Sequence, residues 1–171
     1  MSYRPKSLRC FGEFYLNRDY NYNLDFETIG TAIPMFDYVK PYQQIPFQFS
    51  LHIQASPKSK LEHISYLAEG KDDPRPELLK LLKKHLDTKG SIVAYKAYFE
   101  KDNLNKACEV FPAYGEGNQK IQARIVDLLD PFKAFYYYSY KQEGSASIKS
   151  VLTMGHTSLP RVCRSCCNTS D

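Results

Sequence analysis

Residues 47–54, FQFSLHIQ, alternate without exception: Phe47, Phe49, Leu51 and Ile53 fall on one side, Gln48, Ser50, His52 and Gln54 on the other. Period-two patterning commits the segment to a strand with one face in a core and the other polar. The neighbouring segments follow suit. YNYNLDFETIG (20–30) is mostly apolar or aromatic and reads as a first strand, stopped by Gly30 and by TAIPMFDYVKPYQQIP with its three prolines. PKSK is a turn consistent with a hairpin, and LEHISYLA (61–68) sets Leu61, His63 and Ser65 against Glu62, Ile64 and Tyr66, a third strand with a helix as the alternative.

The pattern then changes period. DDPRPELLKLLKKHLDTKG (72–90) carries a stripe of Leu78, Leu81, Leu82 and Leu86, with Asp73 placed to cap, Pro74 in the first turn and Gly90 as a stop. SIVAYK (91–96) is a short buried strand. AYFEKDNLNKACEVFP (97–112) is a helix with Phe99, Leu104, Ala107, Cys108 and Phe111 inward, and GNQKIQARIVDLLDPFKAFYY (117–137) reads as helical to about Asp130, where Pro131 breaks it. GSASIKSVL (144–152) fits a strand or a helix start. The order β-β-β-α-β-α-α predicts an α/β fold: a mixed sheet, antiparallel in its first strands and alternating thereafter, flanked by helices.

Composition narrows the function classes only a little. The 171 residues suit one domain, and a net charge of +4 is compatible with a polyanionic partner without demanding one. No segment approaches the roughly 18 apolar residues that a membrane span needs, and MSYRPKSLRCFGEFY lacks the apolar region of a secretory signal, so a cytoplasmic protein is expected. Five cysteines (Cys10, Cys108, Cys163, Cys166 and Cys167) are an odd number for a disulfide framework.

The first strand holds the sharper clue. Asp25 and Glu27 are two residues apart, so their carboxylates share a face, and burying two like charges together costs several kcal/mol unless a positive charge neutralises them. Glu100 opens the helix that directly follows the fourth strand, at the kind of strand-to-helix junction where sites gather in α/β sheets. Oxygen ligands held together suit hard divalent cations such as Mg²⁺. Two such ions about 4 Å apart serve phosphodiester cleavage.

These residues carry a resemblance. LDFET resembles the first motif of the DnaQ-like (DEDD) 3′–5′ exonucleases, an Asp-x-Glu on the first strand of an RNase H-like sheet, and YKAYFEKDNL resembles their second motif, usually Asn-x-x-Phe-Asp-x-x-x-Leu. IPMFDYVKPYQQIPFQFSLHI, DPR, GSIVAYKAYFEK, RIVDL and GSASIKSVL further resemble a bacterial domain of unknown function within that superfamily. The resemblance spans 20–152, leaving 1–19 as an arm and 153–171 as a tail outside it. It implies an RNase H-like fold and a metal-dependent nuclease acting 3′–5′ on single-stranded nucleic acid, with two Mg²⁺ or Mn²⁺ ions. Asp25, Glu27 and Glu100 would be catalytic metal ligands, Asp127 a further ligand, and Lys96, which stands where Asn is usual, a nucleic-acid contact. A non-catalytic binding module or an inactive fragment is the alternative.

The third motif, which supplies a general base and the last acid, has no counterpart. His156 is followed five residues on by Arg161, no Tyr-x-x-x-Asp occurs, and Thr153 stands where the family continues with Pro. A truncated or frame-shifted end is the expectation for 153–171. CRSCC offers one Cys-x-x-Cys, one adjacent Cys and a distant His, short of the paired half-sites of structural zinc. His52 and His63 read as surface residues, KLLKKH (80–85) as a solvated basic face, and FYYYSY (135–140) as packing.

Overall fold

The structure is a computed structural model that describes residues 21–56, 58–86, 89–135 and 139–155. The arm 1–19, and His156 and the tail cysteines with it, lie outside the described residues. Five strands form one sheet: β1 (Asn21–Ile29), β2 (Ile45–Gln54), β3 (Glu62–Leu67), β4 (Ser91–Ala94) and β5 (Ile125–Asp127), ordered β3-β2-β1-β4-β5. β1 is central. It pairs antiparallel with β2, which pairs antiparallel with β3; on its other side β4 and then β5 run parallel to it. This is the mixed α/β sheet that the sequence predicts, and its order and directions are consistent with an RNase H-like fold.

The parallel strands need crossovers, and helices supply them. α1 (Arg75–His85) joins β3 to β4; α2 (Ala97–Val110) and α3 (Gly115–Gln122) join β4 to β5; α4 (Asp130–Lys133) and α5 (Ile148–Gly155) follow. One cluster unites Leu24, Phe26, Phe49 and Leu51 of the sheet with Leu78 and Leu82 of α1 and Leu104 and Ala107 of α2. The alternation in β2 holds: Phe49, Leu51 and Ile53 are buried, and Phe49 stacks on Tyr66 of β3 with ring centroids 5.8 Å apart.

Several elements differ from expectation for identifiable reasons. The helix predicted to run to about Asp130 ends at Gln122, and Ile125–Asp127 instead forms β5. Ile121 and Ile125 are four apart, a helical spacing, and a three-residue strand is too short to show a period of its own. α1 stops at His85, before Gly90, and buries Leu79 rather than Leu81 beside Leu78 and Leu82. Asp73 does not cap α1 from the N-cap position, which Pro74 holds; its Oδ1 accepts from the Arg75 amide at 3.0 Å. β4 ends at Ala94, so Tyr95 and Lys96 form the turn into α2. Residues 148–155 are helical.

Arg75 explains how the long β1–β2 connection is anchored. Its guanidinium is 1% exposed, bonds the Asp73 carboxylate at 2.6 Å through Nη2, donates from the same nitrogen to the Asp37 carbonyl at 3.0 Å, and lies over the Phe111 ring at 5.3 Å. One charge thereby ties the loop, the entry of α1 and the end of α2 together.

Candidate functional site

β1 presents Asn23, Asp25 and Glu27 on the face opposite the core, where Asp25 and Glu27 are both exposed. A register shift falls between Glu27 and Thr28, a bulge of the kind that re-aims side chains beside sites. The strand end is fastened beyond it: Thr28 Oγ1 donates to Gln44 Oε1 at 2.8 Å, and the Tyr42 amide to the Thr31 carbonyl at 2.8 Å. The crossing is tight at Gly30, where a Cβ would lie 2.5 Å from Gln44 Nε2, displacing that side chain, and 3.1 Å from the Tyr42 carbonyl oxygen.

β4 pairs with β1 only from Asn21↔Ser91 to Asn23↔Val93. Past Val93 the pairing with β1 ends, and Glu100 of α2 reaches the edge of β1 beyond it, where its carboxylate accepts from the Phe26 amide. Glu100 is 3% exposed, and its Oε2 has no hydrogen-bond partner. Burial, and then the charge of Asp25, push its pKa up to about 8; the Phe26 amide opposes them, and Glu27 adds a smaller push. The three acids singled out from the sequence therefore act on one another: two exposed carboxylates in front of a buried third.

They do not form a closed cage. Among the described residues no three His, Cys, Asp or Glu side chains converge as the ligands of one ion. Mg²⁺ and Mn²⁺ do not require such a cage, since Mg²⁺ typically takes one or two carboxylates and keeps several waters. The residues fit such an ion on two counts. A buried carboxyl oxygen lacks a partner, and none of the ion pairs among the described residues engages Asp25, Glu27 or Glu100.

Asp127 and Lys96 meet at the start of α2. Asp127, at the end of β5, accepts from the Lys96 amide at 2.9 Å and the Leu129 amide at 2.9 Å through Oδ1, and from the Ala97 amide at 3.0 Å through Oδ2. It caps α2 from a different strand, satisfying N–H groups that a helix start leaves open, and it is not among the charges that act on Glu100. Lys96 is exposed and left-handed at φ 64°, ψ 48°. That region costs an ordinary side chain energy, and Asn and Gly occupy it most easily.

Two residues of the site region escaped the sequence reading. Asn103 is 1% exposed, donates to the Phe99 carbonyl at 2.9 Å and leaves its Oδ1 unpartnered. The signal was available: Glu100, Asn103, Leu104 and Ala107 follow the i, i+3, i+4, i+7 pattern of one inward helix face, so the first two are polar groups at core positions. Tyr95 donates from its hydroxyl to the Ala146 carbonyl at 2.5 Å, tying the junction to the segment before α5. Burial, with a smaller push from Asp127, raises its pKa.

Comparison with known proteins returns relatives without an assigned activity. The chain is 34% identical, over 142 residues, to a Mycoplasma pneumoniae protein described as "Uncharacterized protein MG366 homolog". The alignment takes in 76% of this chain and 21% of that protein, so the chain corresponds to about a fifth of the relative's length. No solved structure matches. Among the described residues no helix is long and apolar enough to cross a membrane. Residues 22–147, most of the chain and all five strands but the first residue of β1, match the family described as "Domain of unknown function (DUF2779)", and the chain belongs to that family.

Proposed function

We propose that this chain is a nuclease-type domain of the DnaQ-like class, cleaving phosphodiester bonds of single-stranded nucleic acid from the 3′ end with Mg²⁺ or Mn²⁺, in the cytoplasm. The observation that carries the reading is Glu100, a buried acid with an unpartnered oxygen next to two exposed carboxylates and no basic partner. Asp25 and Glu27 would hold the cation from the strand, with the buried Glu100 sensing it through charge rather than closing a three-acid cage. Bound there, a divalent ion polarises a phosphoryl oxygen and activates water. The chain's own contribution is positional: the bulge lies beside Glu27 on β1, and the Phe26 amide and the Asp127 cap at the start of α2 both hold Glu100 in place.

One observation favours a second reading, a binding module that keeps the fold without the chemistry. Asp127, the further ligand implied by the resemblance, already serves three amides. The test is digestion of 5′-labelled single-stranded DNA and RNA by the chain and by Asp25→Ala, in Mn²⁺, Mg²⁺ and EDTA. Slow Mn²⁺-dependent shortening from the 3′ end, abolished in the variant, is expected. Oligonucleotide binding without shortening would select the module, and neither binding nor shortening would remove both readings.

A further inference from the structure

Beyond the carboxylates, the same polar face carries a second constellation. Antiparallel register places His52 of β2 directly opposite His63 of β3, and the two rings stack with centroids 4.3 Å apart and planes 14° from parallel. His63 Nε2 and Ser50 Oγ share a hydrogen bond of 3.0 Å. The remaining three ring nitrogens have no protein hydrogen bond among the described residues. The side chains that β1, β2 and β3 present on this face include Asp25 and Glu27 but no lysine or arginine, so its charge favours a cation.

We propose that His52 and His63 form a metal site distinct from the carboxylates, a two-imidazole clamp for a borderline divalent transition ion such as Zn²⁺, Ni²⁺ or Cu²⁺, with the Ser50 hydroxyl as an adjacent oxygen donor. Dimensions support it. Zn–N bonds of about 2.0–2.1 Å in a tetrahedron hold two nitrogens roughly 3.3 Å apart, within reach of rings stacked at this separation. As they stand the rings are parallel and their lone pairs do not meet. Convergence needs rotation about the Cβ–Cγ bonds, a broad and soft torsion, and no movement of the backbone, because the ladder already sets the spacing. Imidazole also sorts the ions. It suits Zn²⁺, Ni²⁺ and Cu²⁺, whereas Mg²⁺ prefers oxygen, so the pair and the carboxylates select different metals on one face. Two protein ligands rather than the four of structural zinc make the site weaker than a structural one and leave coordination positions for water. The site is independent of the nuclease reading and stands or falls without it.

The experiment is titration of the full chain with ZnCl₂ by calorimetry at pH 7.5, in a background with Cys10, Cys163, Cys166 and Cys167 replaced by serine and with millimolar Mg²⁺ present. His52→Asn, His63→Asn and the double variant Asp25→Asn/Glu27→Gln are run beside it, and circular dichroism checks each fold. One Zn²⁺ per chain is expected, weakened at least tenfold by either histidine variant and less than threefold by the carboxylate variant. The Cu²⁺ electron paramagnetic resonance spectrum should show coupling to two nitrogens, falling to one or none in either histidine variant. Absence of Zn²⁺ binding, equal binding in the histidine variants, or equal loss in both sets would overturn the proposal, the last by merging the two sites into one.

Discussion

Glu100→Gln should alter how stability depends on pH, and the sign follows from where the Glu100 pKa sits. It stands at about 8 in the fold against an ordinary value of 4.5. Between those values the native state holds a proton that the unfolded chain has released, so stability falls as pH rises through this window. At about 1.4 kcal/mol for each pH unit crossed, the ceiling is on the order of 4–5 kcal/mol; relaxation and water entry bring the expected loss to about 2–4 kcal/mol. Glutamine keeps the shape and an acceptor for the Phe26 amide and cannot ionise. Urea unfolding in EDTA at pH 5, 6.5 and 8.5 reads the effect. The parent should lose about 2–4 kcal/mol more than Glu100→Gln across the series, with the variant the more stable at pH 8.5. Parallel pH profiles would refute the reasoning, because the buried acid would then be ionised in both states.

Other perturbations probe the surrounding parts. Lys96→Asn should raise stability by roughly 0.5–1 kcal/mol in urea unfolding, because Asn accepts the left-handed backbone at lower cost. Asp127→Ala should lower it by about 1–3 kcal/mol by opening three amides at once. Arg75→Ala should cost about 3–5 kcal/mol, since it strands Asp73 and frees the loop held through the Asp37 carbonyl. Millimolar Mn²⁺ should raise the melting temperature of the parent and leave that of Asp25→Asn/Glu27→Gln unchanged; equal shifts would place the ion elsewhere.

How much of this was legible depends on the range of the interaction that fixes each part. β2 and α1 are local: alternation in FQFSLHIQ and the leucine stripe after Asp73 reveal them because each buries one face, whereas β3 has no fully buried residue and its sequence also admits a helix. β5 is not local. Ile125–Asp127 becomes a strand by pairing with Ile92–Ala94, more than thirty residues earlier, and its own three residues fit a helix equally well. Asp127 shows the same limit in chemistry, since no spacing near it signals that its oxygens cap a helix that begins at Ala97. The shared face of Asp25 and Glu27 was legible from a period of two. That Glu100 reaches that face was legible only as a junction, because it depends on β4 stopping three residues after pairing with β1 begins. His52 and His63 were each legible as polar-face residues. Their opposition depends on the β2–β3 register, which the sequence alone leaves open.

The carboxylates also raise a question of charge balance. A buried acid beside two others is unfavourable when ionised, and no lysine or arginine among the described residues forms an ion pair with any of the three. The fold's own remedy is the proton on Glu100, which a pKa of about 8 retains at neutral pH. A divalent cation at Asp25 and Glu27 would supply the same compensation and remove the reason for keeping that proton, so cation binding and proton release from Glu100 should be linked. The linkage has a measurable sign. Mn²⁺ affinity should rise with pH up to about 8 in the parent, and much less steeply in Glu100→Gln, which has no proton to release there. Calorimetry in buffers of different ionisation enthalpy counts the protons directly: a fraction of one proton per Mn²⁺ near pH 7 in the parent, and close to none in the variant. Equal proton release from both proteins would show that the cation does not sense Glu100, and would separate the buried acid from the two in front of it.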